Sequence, residues 1–318
     1  MAPPCFICHG TAYNQITPQY QRCRQCGHET LVVTGAQAYM LNDPLSTEDT
    51  RRVSFLDRFQ DAVLDRFRRG AEGGLWVDIG SGSGKLLCRN RHKFAQARGV
   101  EVTPAAIEFS RRELGLDIVT DLSQVTGGIA FATAWHSLEH FPVEALESLL
   151  VNLQAKMPVG AHIIVSVPNG ASFQYRLFRG HYAFFDIPNH LQQFTPDSLL
   201  HLFAAHGFSP AGRVVSWPYN IFGYAQAFLN LVMPGHNYMY YRLKRGAPSK
   251  SVLWDLAGLS LLPLIVPVSF CLALLEAVRP DRQSVLTWCF ERRLDQVDLH
   301  RVSPPPAHAP QRPHDKKS

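Results

Sequence analysis

Residues 77–85 read Val77-Asp78-Ile79-Gly80-Ser81-Gly82-Ser83-Gly84-Lys85, directly after the apolar pair Leu75-Trp76. The apolar run ends in an acid, three glycines follow at alternate positions, and Leu86-Leu87 open an amphipathic stretch. This order predicts a strand, a tight turn and a helix start. Glycine supplies the left-handed backbone such a turn needs, and it leaves no side chain between the chain and a nucleotide-like ligand.

Three glycine templates can be told apart here. A dinucleotide fingerprint wants glycine at position 85, where Lys85 stands. A phosphate loop wants glycine at 79 and a hydroxyl at 86, where Ile79 and Leu86 stand. Acid-x-Gly-x-Gly-x-Gly fits in full through Asp78, Gly80, Gly82 and Gly84.

Further segments follow at regular distances. Arg98–Val102 reads as a second strand and carries Glu101, 23 residues past Asp78, where an acid would hold a ribose diol. A helix is expected over 105–114. Asp117–Asp121 reads as a third strand, with Asp121 and Leu122 at the adenine edge. Residues 129–140 read as a fourth strand running through Trp135 into an active-site loop. Residues 161–169 form a fifth, and Ser284–Arg293 a last strand. Strands alternating with helical stretches imply a doubly wound parallel sheet.

The combination resembles class I S-adenosylmethionine-dependent methyltransferases, over residues 50–218 and, less closely, 284–293. The resemblance implies an α/β seven-stranded Rossmann-like sheet whose last strand inserts antiparallel. It also implies S-adenosylmethionine as cofactor, held at Asp78, Gly80, Gly82, Gly84, Glu101, Asp121, Leu122 and Trp135. The phrases Trp135-His136-Ser137-Leu138-Glu139-His140 and His190-Leu-Gln-Gln-Phe-Thr-Pro196 resemble a subgroup containing ubiquinone-pathway and glycan- or lipid-pathway enzymes. In the quinone enzymes an acid-x-x-Glu-His segment can carry a divalent metal; here the first position is His136.

Cys5-x-x-Cys8 and Cys23-x-x-Cys26 are separated by 14 residues. That spacing suits one structural zinc ion held by four thiolates, in a segment too short to build its own core. Two disulfides are the competing reading. Residues 1–30 read as no secretory signal, which weighs against them. Some sugar C-methyltransferases and ribosomal-RNA methyltransferases resemble this layout, with a zinc module ahead of the enzyme body. Arg22 and Arg24 are few cations for an RNA reader.

Composition sets the limits. The chain has 318 residues, 46% hydrophobic, with a formal net charge of +5 and no long basic block, so nucleic acid is not the expected partner. Residues 303–318, rich in proline, are expected to be disordered.

Residues 256–275 contain no charged side chain in 20 positions, enough to span a bilayer. A single crossing would strand the last strand on the wrong side. The expectation is therefore a re-entrant or monotopic hairpin turning near Pro263 and Pro267. Residues 221–233 read as an amphipathic helix with Gln226 and Asn230 on one face, apart from Phe222, Leu229 and Met233. Arg242, Lys244, Arg245 and Lys250 would meet anionic headgroups. A buried helical pair, packed on the sheet or on a second copy, is the plainer alternative.

These readings divide the chain into a zinc ribbon (1–35), a linker and capping helix (36–70), the core (71–218), an apolar helical insert (219–282), the last strand (283–302) and a tail (303–318). A single amphipathic helix is expected over Arg51–Arg69. His136, His140 and His190 are the candidate bases, since imidazole titrates near neutrality. If a helix begins at His136, His140 lies on the same side with Glu139 beside it. The expected function is O-methylation of a glycan, lipid-linked sugar or other amphipathic acceptor at the cytoplasmic face of a membrane. The alternatives are RNA methylation with the ribbon as reader, or a non-catalytic membrane-docked adaptor.

Overall fold

The computed structural model describes residues 4–16, 20–31, 45–186, 189–244 and 249–293. The expected tail, the first part of the linker (36–44) and Arg245 lie outside them. In chain order the elements are β1 (Tyr13–Gln15), β2 (Tyr20–Cys23), β3 (Glu29–Leu31), α1 (Thr47–Arg51), α2 (Phe55–Phe67), β4 (Leu75–Ile79), α3 (Lys85–Asn90), β5 (Gln96–Val100), α4 (Pro104–Leu114), β6 (Ile118–Val119), β7 (Ile129–Trp135), α5 (Val143–Lys156), β8 (His162–Pro168), α6 (Phe173–Phe178), β9 (Gln192–Gln193), α7 (Pro196–Ala205), β10 (Phe208–Val214), α8 (Trp217–Val232), α9 (Tyr238–Lys244), α10 (Val252–Ala277) and β11 (Val285–Arg292).

Seven strands form the main sheet in the order β10-β11-β8-β7-β4-β5-β6. β4 pairs parallel with β5 and β7, and β11 pairs antiparallel with both β8 and β10. From β4 the chain moves out through β5 and β6, then returns to β7 on the other side. The crevice at the carboxyl ends of β4 and β7 is thus a topological switch point, where ligands of open α/β sheets bind. β4 is buried along its whole length, as a central parallel strand requires.

The second sheet, β1-β2-β3-β9, joins the N-terminal module to a strand of the body. β9 pairs with β3 through Glu29↔Gln193 and Thr30↔Gln192.

Two expectations are corrected. The helix expected over Arg51–Arg69 is two helices: Ser54 caps α2 by accepting from Asp57 N while Asp57 returns a bond to Ser54 N, so a new helix starts there. The turn expected near Pro263 and Pro267 is absent. α10 runs through both prolines for 26 residues, about 39 Å at 1.5 Å per residue. The hairpin exists with different legs: the chain leaves along α8 and α9 and returns to the sheet along α10, which packs on α8.

α10 presents an inverted helix surface. Its buried positions are Gly258, Ser269, Ala273 and Glu276, while Leu253 (77%), Leu264 (70%) and Leu275 (69%) are among its exposed residues. Small and polar groups take its fully buried positions, Leu261, Leu262, Ile265 and Leu272 pack partly buried against the neighbouring helices, and other large apolar side chains face outward. On α8, Gln226 and Asn230 do share a face, and that face is buried, where Gln226 Nε2 donates to Asn230 Oδ1 at 2.9 Å.

Candidate active site

The glycine turn has the backbone its sequence demanded. Gly80, Gly82 and Gly84 have φ of 70°, 54° and 74°. A Cβ at Gly80 would stand 2.4 Å from Ser137 Cβ, and one at Gly84 2.4 Å from Leu116 Cδ1. Glu101 lies across the turn: Oε2 accepts from Gly82 N, and Oε1 accepts from Val102 N and Thr103 N, each at 2.8 Å. Asp78 is buried and accepts from Thr133 Oγ1 at 2.6 Å. Burial pushes its carboxyl up to about 7, against that hydrogen bond. Asp121 accepts from Ser123 N at 2.7 Å, which holds its carboxyl below the usual range.

Gly80, Gly82, Glu101, Asp121, Leu122 and Trp135 line one cavity of about 1340 Å³. Asp78 and Gly84 stand behind it and set the turn. Trp135 Nε1 is buried and has no hydrogen-bond partner, so the wall keeps a donor for a ligand. A bare-backbone cradle, a carboxylate beside it and an unmet donor fit an adenosyl cofactor. Over the cavity, α2 is tied to α3 by Asp57, which pairs with Lys85 at 2.7 Å and with Arg89 at 3.0 Å.

The three candidate bases converge at the far side of this cavity. No α-helix begins at His136. The residue has a φ of 48°, followed by a 3₁₀ turn at Leu138–His140. A histidine held in the left-handed region is a strained position of the kind that collects at functional sites. His136 Nδ1 lies 3.5 Å from Glu139 Oε1. Its ring is stacked with Phe184 and tilted on Tyr219, and its Nε2 is buried without a partner.

Glu139 is fully buried, and neither carboxylate oxygen accepts a hydrogen bond. Burial alone would raise it. The His136 contact and the charges of His140, His136 and His190 outweigh burial and hold its carboxyl below the ordinary value. His140 Nδ1 meets Asn189 O and His190 Nδ1 meets Phe184 O, both at 2.9 Å. A carbonyl only accepts, so each Nδ1 carries the hydrogen. Burial pushes His190 down to about 4, with His140 adding to it. Glu139, His140 and His190 each offer one ligand atom, all within 4.8 Å of one another. The roles of Glu139, Phe184 and Tyr219 were not drawn from the sequence. Only the His136-x-x-Glu139 spacing hinted at the first.

The N-terminal module is fastened to this side. Tyr20 Oη donates to His190 O, Leu31 N donates to Leu191 O at 3.0 Å, and Leu191 N donates to Glu139 O at 2.8 Å. His28 meets Gln192 at 2.8 Å and Thr195 Oγ1 donates to Cys26 O at 2.8 Å. The four thiols converge. Cys5 and Cys26 sulfurs are 3.7 Å apart, those of Cys8 and Cys23 3.5 Å. Disulfide sulfurs lie about 2.0 Å apart, whereas sulfurs about 2.3 Å from a tetrahedral zinc stand about 3.8 Å from each other. The donor set fits zinc.

The model of the Methyltransferase domain family matches residues 51–211, and this chain belongs to that family. It is a class I S-adenosylmethionine-dependent methyltransferase. A 119-residue stretch is 32% identical to a tRNA (guanine-N(7)-)-methyltransferase of Wolinella succinogenes, taking in 37% of this chain and 29% of that protein. The match therefore spans less than a third of the relative. Among solved structures, mycolic acid cyclopropane synthase CmaA1 complexed with SAH and CTAB is similar at 13% identity and TM-score 0.50, covering 81% of this chain and 91% of that one. The cyclopropane synthase MmaA2 from Mycobacterium tuberculosis is similar at 14% identity and TM-score 0.49, again over 81% and 91%. The first of these two structures shares the fold.

Proposed function

We propose that this methyltransferase methylates a hydroxyl of an amphipathic acceptor, such as a glycan or lipid-linked sugar, at the cytoplasmic face of a membrane. One observation carries the reading: a cradle for the cofactor and a histidine–carboxylate pair open into one cavity, whose other end is built by an apolar hairpin. When bound, S-adenosylmethionine supplies an activated methyl group on a sulfonium. Gly80, Gly82 and Glu101 hold it against the switch point, with Trp135 offering its Nε1–H.

His136 is the general base. Its Nε2 would accept the acceptor's hydroxyl proton and later release it to water. Glu139 orients the ring through Nδ1 and stabilises the imidazolium, a role that calls for a carboxylate kept ionised in a buried place. Phe184 and Tyr219 exclude water from the ring. Cys5, Cys8, Cys23 and Cys26 hold one structural zinc, and the module it staples positions His190 and Leu191 behind Glu139. Docking uses the outward face of α10, while Arg242 and Lys250, expected to meet headgroups, are engaged within the protein by Asp255 and Pro234 O.

The test is calorimetry with S-adenosylmethionine followed by transfer assays on membrane-extracted acceptors. Wild type binds saturably and Asp78→Ala and Glu101→Ala weaken binding. His136→Gln retains binding and loses transfer on the order of 100-fold or more. Variants at Asp78 and Glu101 that bind like wild type would sink the cradle assignment.

A second reading has a specific observation behind it. Among the described residues neither carboxylate oxygen of Glu139 accepts a hydrogen bond, and with His140 and His190 it forms a set of three ligands for a divalent cation. Transfer that falls on chelation while the zinc content stays constant would favour that cation over the base. An RNA acceptor finds less support, because Arg22 is paired with Glu29 and Arg24 Nε donates to Asn14.

A further inference from the structure

Small-molecule pockets run to about 300–1,000 Å³, and this cavity measures about 1340 Å³. Its inner end is polar, formed by the glycine turn, Glu101 and Asp121. Past His136 and Glu139 the wall becomes apolar. Phe222 and Leu229 come from α8, Met239, Tyr240 and Leu243 from α9, and Leu262 from α10. Leu229 and Met239 are buried while Leu243 is exposed, so this outer lobe leads from the interior to the surface. Met239 is pressed on α10 so closely that a Cβ at Gly258 would stand 2.5 Å from its sulfur. The polar side chains in the lobe bond within the protein: Gln226 to Asn230, and Asn237 Nδ2 to Ala183 O at 2.8 Å. The lobe thus offers a guest mostly hydrocarbon.

We propose that the outer lobe seats the apolar tail of the acceptor, a long-chain alkyl or isoprenoid amphiphile, which enters between α9 and α10 and places its hydroxyl head at His136. This rests on the methyltransferase reading above and adds the tail and the direction of entry. The same α10 that faces the bilayer outward forms the inner wall of the seat, so a lipid-borne acceptor reaches the site without its tail crossing water. Each methylene moved from water into such a seat strengthens binding about fourfold, which favours long chains over short ones.

The experiment uses the full chain with bound zinc and 11-(dansylamino)undecanoic acid as a fluorescent tail probe. Wild type takes up the probe saturably at one equivalent. Leu229→Trp and, independently, Leu262→Trp fill the lobe and weaken uptake at least tenfold, while affinity for S-adenosylmethionine stays within twofold, which also reports folding. Leu264→Gln, on the outward face, leaves uptake unchanged. The proposal is overturned if either tryptophan variant that binds the cofactor takes up probe like wild type, if Leu264→Gln weakens uptake as much, or if wild type binds the cofactor and takes up no probe. Failure of wild type to bind the cofactor would instead sink the methyltransferase reading.

Discussion

The two appendages on this sheet solve the same problem in opposite ways. The N-terminal ribbon has almost no core: Ile7 and Tyr20 are buried and Ile16 is exposed. It joins the body through β9, donates to the backbone of His190 and Leu191, and accepts at Cys26 O from Thr195 Oγ1. Glu29, fully buried, accepts from Tyr175 Oη at 2.9 Å and from Arg22 Nε at 2.7 Å. The α8–α10 hairpin has apolar surface in excess and leaves it outside, beyond what a soluble surface usually carries. The ribbon is closed on the site; the hairpin carries an uncovered apolar face. An appendage held by directional bonds can place a side chain, and one held by grease can place the whole enzyme.

The largest effect should come from breaking the closed side. Cys5→Ser with Cys26→Ser, or zinc removal by a strong chelator, frees β3 from β9 and with it the Leu191–Glu139 bond. Misplacement of catalytic groups by about 1 Å can cost on the order of 100-fold in rate, and we expect a loss of that size. Amide hydrogen exchange should rise at residues 189–195 and remain unchanged at Gly80–Gly84. Unchanged exchange at 189–195 after metal loss would mean that the ribbon does not position the site.

This division follows what the chain's own sequence could reveal. The cradle was legible because its parts are local: an acid, three glycines and a helix start within ten residues dictate one turn. The thiol set was legible from spacing alone. The proposed acceptor side was not, because it joins residues 136–140, 184–186, 189–193, 219–243 and 262, which only the folded topology brings together. His136 and His140 line one cavity, brought there by a left-handed His136 and a 3₁₀ turn rather than by helical spacing. The expected turn at Pro263 and Pro267 failed because a proline removes one helical bond without ending a helix whose neighbours hold it straight. The outgoing leg lay upstream, in α8, and the whole of α10 is the return leg. The split between α1 and α2 was legible in Ser54-x-x-Asp57, a capping box that the apolar periodicity concealed.

Next in size is a break on the open side. Leu253→Gln, Leu264→Gln and Leu275→Gln together remove three exposed leucines from the outward face. Burying a leucine is worth about 1.5–3 kcal/mol, so partial loss over three sites should weaken binding to vesicles of phosphatidylglycerol and phosphatidylcholine at least 30-fold. Cofactor affinity should not change, since none of the three lines the cavity. Equal sedimentation of variant and wild type with these vesicles would remove the bilayer as the cover for this face.

The smallest effect lies at the seam where the open appendage meets the closed body. Glu276 is buried at the carboxyl end of α10, with Gln174 Nε2 3.3 Å from its Oε2 and Tyr224 beside it. Burial raises its carboxyl from 4.5 to about 8, against the hydrogen bonds from Gln174 and Tyr224. The sign follows from linkage: the folded chain keeps a proton that the unfolded chain gives up. The stabilisation is complete below about pH 4.5 and is lost as pH rises through about 8. Glu276→Gln mimics the protonated form at every pH. The variant should be close to wild type near pH 5 and exceed it in Tm near pH 8. A wild-type melting curve with the same pH dependence as the variant would show that the seam is wet and that the hairpin is anchored by its apolar contacts with α8 alone.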